Sequence, residues 1–97
     1  MSDLTSGVTQ CDFPANVNKE LLKAIDLALS GEWNAAHQIV QQYEDPMAAW
    51  IHAVLHKTEG DLDNSRYWYR RAGKLEHFTD GPNTELAAIR DEVAGQA

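Results

Sequence analysis

His52 and His56 are the residues of this chain best suited to chemistry. Spaced at i and i+4, their rings project from one side of a helix, as two ligands of one metal ion must. Histidine is the commonest metal ligand, and its charge changes near neutral pH. A closed site needs one or two further ligands. His37, Glu59 and His77 can supply them only if the fold brings them near. Ala53 stands where the glutamate of an H-E-x-x-H metalloprotease helix would be, so that motif is absent. The plainer reading is two histidines packed in a helical hairpin that hydrogen-bond across it, for instance to Tyr69. The pattern favours that reading, and no metal or other cofactor is expected.

The second constellation is electrostatic. Arg66, Arg70, Arg71 and Lys74 place four of the eight basic residues within nine positions, leaving the rest of the chain at a net −11. Arg66, Arg70 and Lys74 at steps of four form one ridge, flanked by Tyr67 and Trp68. Guanidinium groups grip carboxylates in bidentate geometry, and adjacent rings add apolar contact area. Arg66, Tyr67, Arg70, Arg71 and Lys74 are therefore the candidate residues for docking an acidic or helical segment of a protein partner. A second copy of the chain is one such partner. The alternative is a solvated face paired with Asp61, Asp63 or the acidic C-terminal segment. Nucleic acid is disfavoured because the chain's net charge is −7.

No catalytic arrangement accompanies these residues, so a non-catalytic protein is expected. There is no Gly-rich phosphate loop, no G-x-S-x-G and no C-x-x-C. Glu20, Asp26, Glu32 and Glu85 read as the polar sides of amphipathic helices. Cys11 is the single cysteine, which excludes an internal disulfide and suggests a reduced, cytoplasmic setting. Residues 1–7 have neither a basic nor an apolar block, and no apolar run approaches the roughly 18 residues that span a bilayer. No membrane partner is expected.

The elements that must position these groups are all helical. Residues 1–13 read as a flexible leader, and 14–97 as one helical repeat domain. Val17, Leu21, Leu22, Ala24, Ile25, Ala28 and Leu29 form a stripe at helical spacing that stops at Gly31. Trp33, Ala36, Ile39, Val40 and Tyr43 continue the period to Glu44. Asp45-Pro46 starts a third helix, whose inward face is Met47, Trp50, Ile51, Val54, Leu55 and Thr58. Gly60-Asp61 separates it from a fourth, with Leu62, Ser65, Tyr69 and Ala72 inward. After a break at 79–83, Leu86, Ile89 and Val93 mark a fifth helix that covers the open end of the second hairpin.

Gly31-Glu32-Trp33-Asn34-Ala35-Ala36 and Gly60-Asp61-Leu62-Asp63-Asn64-Ser65 run alike, 29 residues apart. Repeats of this length stack as helical hairpins and supply binding surfaces. The segment from Ala49 to Ala72 resembles the tetratricopeptide repeat family. Its small-residue positions fall on Ala53, Ser65 and Ala72, and its large aromatic on Tyr69. In the first hairpin the same roles go to Ala24, Gly31, Ala36 and Val40. His52 and His56 depart from that pattern, which has a leucine and an aromatic there. The resemblance implies two stacked hairpins with a capping helix, and a groove that recognises a peptide.

Overall fold

In this computed structural model the backbone of residues 9–96 and the side chains of 17–95 are described. They form α1 (Thr9–Leu29), α2 (Trp33–Val40), α3 (Pro46–Glu59), α4 (Leu62–Ala72), a 3₁₀ turn (Leu75–His77) and α5 (Pro82–Gln96). Among the described residues there is no strand, so the fold is all-α. Most of the expected leader, residues 1–8, and the Cys11 side chain lie outside the described parts. Helix α1 already runs through residues 9–13 of that stretch.

Helix α3 is the axis of the molecule. Asp45 caps it by accepting from the Met47 N–H at 3.2 Å, and Pro46 fills the first position. Every residue from Met47 to His56 is buried. A helix covered all round must be apolar all round, and here only the two histidines break that rule. Its coverage comes from α4, α2, α1 and α5.

Gly60 makes the tight return into α4. Its φ is +90°, and the Asp61 N–H donates to the His56 carbonyl at 2.9 Å, closing the end of α3. A Cβ there would meet no atom, so the backbone angle alone calls for glycine. Ser65 then sits fully buried against α3, its hydroxyl donating to the Ala53 carbonyl at 2.8 Å. Two small residues at that contact let the helices approach closely.

Several boundaries differ from expectation. Helix α2 stops at Val40, because Gln42 and Tyr43 turn back onto Ile39 and Val40 in tighter i→i−3 bonds. Leu62 is exposed as the first residue of α4, on the rim of the buried Ser65–Tyr69 stripe. Thr58 is exposed too, its hydroxyl satisfied by the Val54 carbonyl at 2.8 Å. Leu29 also faces solvent. Leu86, Ile89 and Val93 are buried as expected, but α5 packs chiefly on α1 and α3. It thus bridges both hairpins, and its Arg90 pairs with Asp26 of α1 at 2.9 Å.

Candidate metal centre

The short α2 delivers His37 to the two histidines of α3. Trp33, one turn earlier, stacks on the His37 ring with centroids 4.6 Å apart. Its indole N–H donates to the Leu55 carbonyl at 2.6 Å, which pins α2 against α3. On α3, His52 and His56 stack at 4.9 Å, as their four-residue spacing dictates. From α4, Trp68 lies on His52 at 3.9 Å and 14°. Three imidazoles are thus held by two tryptophans on three helices.

Their nitrogens converge. His37 Nε2 and His52 Nε2 are 2.9 Å apart, and one ligand nitrogen from each of His37, His52 and His56 lies within 4.8 Å of the others. Tetrahedral zinc with Zn–N bonds of 2.0–2.1 Å spaces its ligands about 3.3 Å apart. The observed spread therefore closes around an ion with side-chain shifts of about 1.5 Å or less. His56 Nδ1 is 2.8 Å from Glu59 Oε2. A carboxylate only accepts, so Nδ1 donates, which makes Nε2 the coordinating atom of the neutral ring. Such a carboxylate–histidine pair typically orients a metal ligand.

The electrostatics favour neutral His52 and His37 rings. Burial, then the neighbouring His37 and His56, push His52 down to about 3. His37 is also lowered, by burial first and by His56 second, with Glu59 opposing. Neutral imidazoles are what a metal requires, so protons compete weakly here. Without an ion, His37 and His52 share one proton between their Nε2 atoms. A metal held by both Nε2 atoms would need that proton on an Nδ1 instead, a change of tautomer with no net proton release.

Of the ligands named from sequence, His37 and Glu59 join His52 and His56. His77 does not; it bonds Asp80 at 2.7 Å and lies beside Trp50. Tyr69 bonds no histidine. Its hydroxyl donates to Glu85 at 2.7 Å, together with Trp50 Nε1 at 2.6 Å and Lys57 Nζ at 2.8 Å. Glu85 is therefore buried, not on a polar face. Its position four residues before Ile89 was the available signal, since that places it on the inward stripe.

The basic ridge is only partly free. Arg66 pairs with Asp63 at 3.2 Å and lies over Phe78, as the solvated-face alternative anticipated. Arg71 lies over Trp68 and donates to the Tyr67 hydroxyl at 3.3 Å. Lys74 sits over Trp50 at 4.6 Å. Arg70 is exposed and has no carboxylate partner among the described residues. No described helix is long and apolar enough to cross a membrane. Comparison of the chain with protein-family models, with curated proteins and with solved structures returns no match.

Proposed function

We propose that this protein binds a divalent transition metal through His37, His52 and His56, and that the ion ties the first hairpin to the second. The convergence of three imidazoles from α2 and α3, with His52 and His37 held towards the neutral form by burial, carries this reading. An all-nitrogen set suits zinc, copper(II), nickel or cobalt(II) rather than magnesium or calcium, which prefer oxygen. The ion would be bound by a helical scaffold, with the stacked tryptophans fixing the rings before it arrives. Zinc titration of protein made without a histidine tag tests this. One ion per chain should bind, stabilising the fold by about 2.7 kcal/mol at free zinc one hundred times Kd. His37→Gln, at a half-buried position, should fold normally and lose at least about tenfold in affinity. Absence of stoichiometric binding, or an unchanged affinity in His37→Gln, refutes the site.

A second reading is supported by Arg70. It lies on the exposed side of α4, the helix that also exposes Leu62 and Tyr67. An acidic partner segment is the complement of that face in an otherwise acidic chain. The tetratricopeptide resemblance is likewise a proposal, supported by the Ser65–Ala53 contact.

A further inference from the structure

Three imidazoles do not complete the coordination of a tetrahedral ion. Among the described residues, the all-nitrogen donor group is His37, His52 and His56. The side chains stacked flat on it are Trp33 and Trp68, whose indoles carry an N–H but no lone pair for a metal. Glu59 sits at Nδ1 of His56, across that ring from the coordinating Nε2, so it orients the ring rather than joining the ion. His37, Trp33 and Trp68, which border the two buried histidines of α3, each keep part of their surface in water. Charge adds a second observation. Coordinated imidazoles are neutral, so three of them leave a divalent ion its full double charge, with the one carboxylate of Glu59 beside His56. Arg71 places a further cation nearby. Its guanidinium lies 5.4 Å over the Trp68 ring, the same ring that stacks on His52 at 3.9 Å, and its hydrogen bond goes to the neutral Tyr67 hydroxyl.

We infer that the ion held by His37, His52 and His56 takes a small anion as its exchangeable fourth ligand, with Arg71 favouring the negative charge. This rests on the reading of that centre as a metal site. Four protein ligands close a structural site, whereas three leave the fourth place to water or a small ligand. A centre of net positive charge beside a guanidinium prefers an anion to water there. The indoles set the size. They stand within stacking distance of His37 and His52, which suits hydroxide, a halide, azide or the end of a carboxylate rather than a bulky group. Binding is ligand exchange: a metal–water bond breaks, a metal–anion bond forms, and no electron is transferred.

Cobalt(II), added to protein made without a histidine tag, gives a visible spectrum that reports its ligands. Sodium azide is then titrated in sodium perchlorate at constant ionic strength, so that coordination alone changes. The spectrum should shift along one saturable curve, one azide per cobalt, with the ion retained on gel filtration. Arg71→Gln removes a charge without touching a ligand. It should bind cobalt as tightly as the parent and azide about two- to tenfold more weakly. A spectrum unmoved by azide at about 0.1 M overturns the proposal, because the chain itself then supplies the fourth donor. Loss of cobalt in azide also overturns it, since azide then competes for the ion instead of joining it. An equal azide midpoint in Arg71→Gln overturns the part given to Arg71. A parent protein that gives no cobalt spectrum refutes the histidine centre itself, an outcome distinct from these.

Discussion

Removing the Glu85 carboxylate should be among the most damaging single changes in the molecule. Glu85 is 3% exposed and accepts from Trp50, Tyr69 and Lys57, whose ammonium also reaches the carbonyls of His77, Phe78 and Asp80. Glu85→Met keeps most of the volume but leaves the Tyr69 hydroxyl and Trp50 indole without acceptors and an ammonium without its counter-charge. Breaking one side of a buried ion pair costs about 3–5 kcal/mol. For a domain of this size that lowers the melting temperature by on the order of 15–30 °C. Lys57→Met with Glu85→Met should recover part of the loss, because two apolar residues replace a desolvated pair. Urea unfolding of the parent, both single variants and the double variant supplies the coupling energy. A cost below about 1 kcal/mol for Glu85→Met, or strictly additive singles, would show that this carboxylate does not hold α5 to α3.

Two further outcomes are expected. His52 is held neutral, so the unfolded chain takes up its proton as pH falls below 6.5 while the folded chain waits until about 3; stability without metal should be full above 6.5 and fall in that window by up to about 1.4 kcal/mol per pH unit for this ring. His37 adds in the same direction, whereas Asp26, lowered by Arg90, acts only below 3.8, so His52→Leu should flatten the slope of urea midpoints between pH 6.5 and 5, and an unchanged slope contradicts the assignment. If the outer side of α4 docks an acidic segment, Arg70→Glu with Arg71→Glu should abolish binding of a labelled acidic helical peptide at low salt while circular dichroism stays unchanged; peptide binding that survives the reversal rejects that surface.

The helices were legible because their signals are local. Asp45-Pro46 and Gly60-Asp61 are punctuation that acts within one turn, and both work as read. Leu62 and Thr58 were misplaced because a helical period assigns faces without saying where the neighbouring helix ends. The His52–His56 pair was visible for the same local reason, and its completion was not. His37 is 15 residues from His52, and only the angle of α2 against α3 decides whether they meet. Glu85 shows the limit from the other side. Its spacing pointed inward, but its charge pointed outward, and partners 16 to 35 residues away decide the matter.

Three imidazoles at the contact of α2, α3 and α4 are costly unless something uses their lone pairs. His52 is 5% exposed, at a position where a leucine would bury a comparable side chain with no polar atoms to satisfy. Its Nε2 is met by His37 alone, a bond between two acceptor-capable rings that need one proton between them. Apolar packing of the same shape would be neutral or better for stability, as it is for other buried polar groups. The tryptophans sharpen the point. Trp33 and Trp68 stack flat on two of the rings, fixing their planes without bonding their nitrogens. Stacking controls orientation, and the His37–His52 bond is the one an ion would replace, which suits the preorganised metal centre proposed above.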